Sequence, residues 1–203
     1  MAIVQPTPSI ELKDVSLTTS STRRRFHRRR ITLQHGEPIA SLDISPDDTY
    51  LAYSTGKTII VRYVDSGKIV HEFRMNGKIS SLKFGAQSKL LLCGDKEKTV
   101  TVRNVQDGAV VHEFVHEEGI STLNVSADNK YIGYGAGKFI LRSLQSGEIV
   151  HTFTDQGGPI HTCAFSFDNK YVAFGGISKK LTVSCVKCNL STIVTIIMHQ
   201  FEA

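Results

Sequence analysis

The most extreme local composition in the chain is the run TRRRFHRRR at residues 22–30, with six arginines, a phenylalanine and a histidine. Arginine binds phosphates through paired hydrogen bonds and stacks on bases, and Phe26 could stack too, so RNA binding is chemically sensible. The same charges would suit an acidic protein surface, a nuclear import signal or a solvated connection between strands. These alternatives stay open for the basic residues Arg23, Arg24, Arg25, Arg28, Arg29 and Arg30.

Two other patterns have the residue types of a metal site. Cys185 and Cys188, in CVKC, have zinc-knuckle or redox spacing, but the sequence has no second such pair and no βαβ pattern to hold a redox motif. His71, His112 and His151 recur at one position of a repeat, so they would be spread along an arc rather than converge on zinc. We predict no metal site, reduced cysteines and a structural role for these histidines.

Motifs of the common enzyme classes are also missing from the sequence. There is no G-x-S-x-G and no H-E-x-x-H, and GYGAGK at 133–138 lacks the residue order of a phosphate-binding P-loop. We therefore predict that the protein is not an enzyme, with no catalytic residues and no cofactor.

The elements that would position these residues are repeats. Nearly the same eight residues occur as SGKIVHEF at 66–73, DGAVVHEF at 107–114 and SGEIVHTF at 146–153. Each copy ends a longer unit that contains an alternating run, an Asp or Asn turn, a short apolar run, a β-branched run and a Gly turn. Four strands in about 40 residues are typical of a β-propeller blade. The units begin at Ile39, Ile79, Ile120 and Ile160.

The repeat resembles the WD-repeat family, as is seen in FSFDNKYVAFGG at 165–176 and in the β-branched strands, Gly turns and VHTF-type stretches of the repeat, such as VHTF itself at 150–153. The chain has no tryptophan, and RYVDSG, RNVQDG and RSLQSG stand where the family has its Trp-Asp pair. The family's Gly-His pair survives only as QHGEP, so the His, Asp and Trp network of typical blades is mostly missing. The resemblance implies an all-β fold, a WD-type propeller with four recognisable four-stranded blades.

We predict a basic leader at 1–30 and a propeller segment at 31–203, with blades at about 39–78, 79–119, 120–159 and 160–198. In the leader, SIELKDVSL and RRRITLQHGEPI have the look of the third and fourth strands of a blade that this chain does not finish. The family resemblance implies rings of about seven blades, so the propeller is expected to be partial, either open or completed by a partner. A closed ring of four blades is the alternative.

Charge and hydropathy bear on where the protein works. The net charge is +5, and residues 1–38 carry seven Lys or Arg against three Asp or Glu, so most of the excess belongs to the leader. No run of 18 apolar residues and no secretory signal occurs. We expect a protein of the cytosol or cytoskeleton, or of the nucleus, without a membrane partner.

Together these patterns predict a noncatalytic protein-interaction scaffold, a propeller subunit of a larger assembly, whose partner is a protein or a second copy. The alternative is an RNA-associated propeller, for instance in ribosome assembly, held to RNA by the leader. Loops on a rigid frame often carry recognition residues. In the loops that precede the first strands, the candidate partner-binding residues are Glu37, Asn76, Lys78, Glu117, Glu118 and Gln156.

Overall fold

The computed structural model describes residues 11–15, 28–154, 158–187 and 193–197, with side chains described for 32–154 and 158–187. The chain divides into two compact units, Met1–Pro38 and Ile39–Ala203. In the first unit, β1 (Glu11–Val15) and β2 (Arg28–Thr32) pair as antiparallel strands, with Val15 opposite Arg28.

The second unit consists of four antiparallel sheets of four strands each, which confirms the predicted all-β fold. The first blade contains β3 (Ile39–Ile44), β4 (Tyr50–Thr55), β5 (Thr58–Tyr63) and β6 (Ile69–Arg74). The second contains β7 (Ile79–Phe84), β8 (Leu90–Asp95), β9 (Thr99–Asn104) and β10 (Val110–Val115). The third contains β11 (Thr122–Val125), β12 (Tyr131–Ala136), β13 (Lys138–Ser143) and β14 (Ile149–Phe153). The fourth contains β15 (Ile160–Phe165), β16 (Tyr171–Gly176), β17 (Lys180–Cys185) and β18 (Ile193–Ile197).

The turn between the first two strands of each blade has one repeated conformation. The residue that follows the two central residues has a positive φ in all four blades, a conformation in which Asp and Asn have a smaller steric penalty than most residues. In the third blade, Ser126 Oγ donates to Asp128 Oδ1 at 2.7 Å and fixes the turn locally. The positive-φ residues are Asp48, Ser88, Asn129 and Asn169.

The hydrophobic core lies between blades rather than within one of them. Each of the three clusters of buried apolar side chains combines strands of two successive blades. Between the third and fourth blades, for example, the rings of Phe139 and Phe174 stack with centroids 4.0 Å apart. The described strands do not close into a ring, so the predicted partial propeller is confirmed.

The close packing between blades predicts the effect of a single added methyl group. A Cβ at Gly94, in β8, would meet the side chain of Ile120 in the third blade at once. We expect Gly94→Ala to lower the free energy of unfolding by about 1 to 3 kcal/mol, because overpacking forces side chains or backbone to shift. Urea unfolding would measure it. Gly36→Ala is the control, since nothing lies within 4 Å of its Cβ position, and equal destabilisation by both variants would contradict the interblade explanation.

Candidate interaction surfaces

Backbone groups of one blade are bound by hydroxyl side chains of the blade before it. The backbone N–H of a residue in the first strand of one blade donates to a serine hydroxyl oxygen in the first strand of the preceding blade. The serine lies about 41 residues earlier in the sequence. First strands lie at the edge of their sheets, so these N–H groups would otherwise lack a protein partner. The pairs are Leu82 N with Ser41 Oγ at 3.0 Å and Leu123 N with Ser81 Oγ at 3.2 Å.

The positive-φ turn residues make a second set of interblade hydrogen bonds. Those of the second, third and fourth blades each accept a backbone N–H from the corresponding turn of the preceding blade, so the turn conformation and the blade contact depend on the same residue. The pairs are Asp47 N with Ser88 Oγ at 3.2 Å, Ala86 N with Asn129 Oδ1 at 2.7 Å and Asp128 N with Asn169 Oδ1 at 3.3 Å.

The repeated histidines form a third set, as the structural interpretation predicts. His71 Nε2 lies 2.8 Å from the Val105 carbonyl oxygen of the next blade, and His112 Nε2 lies 2.8 Å from that of Leu144. A carbonyl only accepts, so the Nε2 atoms carry the proton. His151, in the third blade, packs its ring against Phe153.

Arginine recurs two residues before the place of the family's Trp-Asp pair, and the sequence analysis missed its role. The guanidinium of Arg103 lies 4.4 Å from the ring centre of Phe73 in the preceding blade, and that of Arg142 lies 4.1 Å from Phe114. Arg142 Nε also donates to Tyr134 Oη at 3.1 Å. In the first blade, Arg62 Nε donates to Tyr53 Oη at 2.9 Å in the same way. The signal was present in the sequence, because arginine recurs at one position of RYVDSG, RNVQDG and RSLQSG.

The first blade ends in an uncovered apolar surface, which we call the first-blade face and define by Ile39, Leu42 and Ile44. Their exposed fractions are 42%, 59% and 49%. At the same repeat positions of the second blade the exposed fractions are 3%, 1% and 4%, because the first blade covers them. The residue types are alike, so the difference arises because the described residues include no blade packed on this side of the first one.

The fourth blade has a corresponding last-blade face, formed by Tyr171, Ala173, Leu181 and Val183. Tyr171 is 48% exposed and Leu181 is 40% exposed, whereas Val100 and Phe139, at the position of Leu181 in the preceding blades, are fully buried. Both ends of the blade series therefore present side chains of interface type to solvent.

The predicted partner-binding residues lie in loops at the surface. Asn76 and Lys78 are exposed between β6 and β7, and Glu117 and Glu118 are exposed between β10 and β11. Glu37 is exposed in the loop before β3. Glu117 pairs with Lys138 at 3.6 Å, an exposed ion pair that contributes little to stability. Gln156 lies outside the described residues, and the role of the six residues in binding stays a prediction.

The basic run is only partly described. Arg23, Arg24 and Arg25 lie outside the described residues, whereas Arg28, Arg29 and Arg30 belong to β2 and face Val15, Asp14 and Lys13 across the hairpin. Half of the arginines therefore lie on a paired strand. Whether the run binds RNA or an acidic protein stays a prediction.

The described residues show no group of three His, Cys, Asp or Glu side chains placed to hold a metal ion. Burial raises the pKa of the Cys93 and Cys163 thiols to about 12, so neither is a nucleophile at neutral pH. Cys185 is disulfide-bonded. The prediction of a reduced thiol there is wrong, because it rested on the missing export signal, which says nothing about local sulfur geometry. Cys188 lies outside the described residues.

A cleft of about 400 Å³ between the outer strands of the second and third blades contains a histidine that the sequence analysis did not single out. His116 Nε2 is buried without a hydrogen-bond partner. The ring of His116 is tilted against that of Tyr134, and the two ring centroids are 4.8 Å apart. Burial, with the positive charges of Arg142 and Lys138, lowers the pKa of His116 to about 4. The ring is therefore neutral at physiological pH.

Residues 147–187, from the turn before β14 to just past β17, match the family model described as WD domain, G-beta repeat. The structure of U3-55K and the crystal structure of the RRP9 WD40 repeats each superpose with a TM-score of 0.73 and 18% identity over 82% of this chain. The chain has the fold of a WD-repeat propeller. The resemblance seen in the sequence is thus confirmed.

The comparisons do not extend to a specific function. The chain spans 54% and 53% of the two solved chains, about half of their length. No curated protein sequence matches it. Because 1569 chains of solved structures match, the fold is too widely shared to select one function. Within the described ranges, no helix is long and apolar enough to cross a membrane.

The two leucines at one repeat position allow a matched stability test. Leu82 is 1% exposed and Leu42 is 59% exposed. We expect Leu82→Ala to cost about 2 to 5 kcal/mol of unfolding free energy through lost burial and a cavity, and Leu42→Ala to cost less than about 0.5 kcal/mol. Urea unfolding of both variants would show it. Similar losses would mean that the chain in solution covers the first-blade face.

The depressed pKa of His116 predicts a pH dependence of stability. An unfolded histidine titrates near 6.5, so between pH 6.5 and 4 the unfolded chain binds more protons and stability falls as the pH is lowered. We expect the wild type to lose about 1 to 2 kcal/mol more than His116→Gln over this range, since partial exposure weakens the effect. Urea unfolding at several pH values would measure the difference. Parallel pH profiles would contradict a neutral buried ring.

Proposed function

We propose that the protein is a noncatalytic interaction scaffold, a propeller segment that works in a larger assembly after another polypeptide covers its end faces. The observation that supports this most directly is the exposure of Ile39, Leu42 and Ile44 at positions that are buried in the second blade. An interface-type surface left in water favours association, because the hydrophobic effect acts on any apolar area that a partner removes from solvent.

The expected gain from covering the first-blade face is substantial. Fully burying an aliphatic side chain contributes about 1.5 to 3 kcal/mol, so three half-exposed side chains supply several kcal/mol. Association has its own entropy cost, and a stable complex therefore needs further contacts. The exposed loop residues Asn76, Lys78, Glu117 and Glu118 are proposed to supply such contacts at the rim.

Four of the described side chains with reactive chemistry have structural roles in the blades. His71 and His112 bind carbonyl groups between blades, and Cys93 and Cys163 are buried thiols of raised pKa. These roles support a scaffold rather than a catalyst. A location in the cytosol, at the cytoskeleton or in the nucleus stays a prediction.

The scaffold and the RNA-associated alternative differ in which substitutions remove the binding partners. We expect Leu42→Asp to abolish the co-purification of partner proteins with the tagged chain. The reason is that burying a carboxylate in an apolar interface without a hydrogen-bond or ion-pair partner is too costly. Val110→Asp is the matched control, since Val110 is 47% exposed on an outer strand away from either end face. Quantitative mass spectrometry of cytosolic and nuclear extracts, with RNA sequenced from the same samples, would measure both classes of partner.

A third variant completes this comparison, with alanine at all six arginines of residues 23–30. The scaffold is expected to keep its protein partners in this variant. Partners that survive Leu42→Asp but are lost with the six alanines, together with bound RNA whose affinity falls steeply with salt, would instead establish the RNA-associated function.

A further inference from the structure

The cleft beside His116 lies where the preceding interface is filled by side chains of the chain itself. Met75 stands at the repeat position of His116 and belongs to the hydrophobic cluster between the first and second blades. In the same interface Asp95 is fully buried, and its carboxylate accepts from Gly77 N at 3.3 Å and from Thr99 N at 2.9 Å. The interface between the first two blades therefore contains a buried carboxylate.

The third blade has no carboxylate at the position of Asp95. Ala136 stands there and lines the cleft. The turn that follows is also shorter, since only Gly137 separates the paired residues Ala136 and Lys138, whereas three residues separate Asp95 from Thr99. The smaller side chain and the shorter turn together leave the space of about 400 Å³ between the second and third blades.

The polar lining of this cleft suits an anionic group. His116 Nε2 is buried without a hydrogen-bond partner, which is costly until a ligand supplies one. Lys138 and Arg142 line the same cleft and bring two positive charges to it. Arg142 donates from its Nε and Nη1 atoms to Tyr134 and to the carbonyl of Gly147, so these contacts hold its charge in place.

Two carboxylates of the chain lie near these cations. Glu117 pairs with Lys138 at 3.6 Å, but the side chain of Glu117 is 88% exposed, and exposed pairs of this kind contribute little. Glu118 lies against the turn at Gly137 and is not among the residues that line the cleft. Neither carboxylate binds the buried Nε2 atom of His116, so this atom remains open to a group from another molecule.

The mouth of the cleft is apolar. Val115 and Ile149 line it with side chains that are 73% and 50% exposed. Exposed aliphatic side chains beside a cationic interior suit a peptide segment in which an apolar residue neighbours an acidic one, because each part of the segment then meets matching chemistry. A small carboxylate ion would leave both aliphatic side chains in water.

We propose that this cleft binds an acidic side chain of a protein partner, a glutamate or aspartate flanked by an apolar residue. The carboxylate accepts hydrogen bonds from His116 Nε2 and Lys138 Nζ and displaces Glu117. The apolar neighbour packs at the mouth of the cleft. The proposal rests on the scaffold function and deepens it, because it gives the scaffold a binding site separate from the first-blade face.

Two matched peptides test the charge of the occupant. The probes are a tripeptide of leucine, glutamate and leucine with blocked ends and its counterpart with glutamine, each added to the full chain labelled with ¹⁵N-histidine. We expect the glutamate peptide to shift the ring NMR signals of His116 saturably and to bind about tenfold more tightly than the glutamine peptide, since charge-assisted hydrogen bonds are the stronger ones. His116→Gln assigns the signals. Equal affinities would overturn the proposal.

Two lysines of the third blade give a matched pair of variants. Lys138 lines the cleft, whereas Lys130 lies outside it and pairs with Asp128 at 3.9 Å. We expect Lys138→Gln to weaken binding of the glutamate peptide about tenfold and Lys130→Gln to leave it unchanged, because only Lys138 contacts the carboxylate. Equal losses would mean that the peptide responds to general surface charge, and the cleft would be rejected.

Binding should also depend on pH. A carboxylate against the ring favours its charged form, so binding raises the pKa of His116 above its value of about 4 in the free chain. The cations Arg142 and Lys138 oppose that charged form, and the carboxylates of Glu117 and Glu118 favour it, with or without peptide. By linkage, affinity for the glutamate peptide increases as the pH falls from about 7 to about 5, where the peptide stays ionised. A flat profile would contradict contact with the ring.

Acetate at the concentration of the peptide distinguishes the two sources of a carboxylate. If acetate shifts the His116 signals as strongly as the glutamate peptide does, the occupant is a small ion and docking of a partner is overturned. Failure of the peptide tests leaves the scaffold standing if Leu42→Asp still removes the co-purifying proteins. If those proteins are unaffected while the glutamate peptide binds, the role of the first-blade face fails and the cleft remains supported.

Discussion

Each interior blade of this protein is a sheet with apolar side chains on both faces, and both faces must be covered. The requirement is visible in the clusters of buried residues, each of which draws on two successive blades. Stability is then close to a sum of nearest-neighbour interfaces, as in other repeat proteins. Among the described blades, the first and the fourth each have one face without a neighbouring blade, so the packing rule of the interior leaves apolar side chains exposed on those faces.

The polar contacts at these interfaces replace a network that the WD resemblance would lead one to expect. Without tryptophan, the outer strands are joined by histidines bonded to carbonyl groups and by arginines stacked on phenylalanines of the preceding blade. The VHEF stretch supplies both partners, since His71 and Phe73 lie on one side of β6. This double use gives a physical reason for the repetition of the stretch, because one sequence serves two contacts at each interface.

The sequence was informative where a property repeats locally and less so where it depends on residues about 40 positions apart. Strand alternation and Asp or Asn turns predicted the blades, and the shared histidine position predicted a structural role. The stacking of Arg103 on Phe73 and the bond from Leu82 to Ser41 were not predicted, because they depend on which strands meet across an interface. Exposure at the ends followed from counting strands, but its concentration on the first strand required the structure.

Apolar area and polar register have different consequences for how selectively a blade face can be covered. The first-blade face and the buried face of the second blade carry similar aliphatic side chains, so hydrophobic burial would accept almost any blade-like partner. Backbone groups at the edge of the first strand are more selective, because an N–H buried without an acceptor costs about 1 to 3 kcal/mol. Repeat proteins face this problem generally, since every blade resembles every other and wrong pairings are close competitors. The interior interfaces already vary in this respect, because Asp43 accepts from Phe84 N at 2.9 Å whereas Lys83, which has no acceptor, stands at the same repeat position of the next blade.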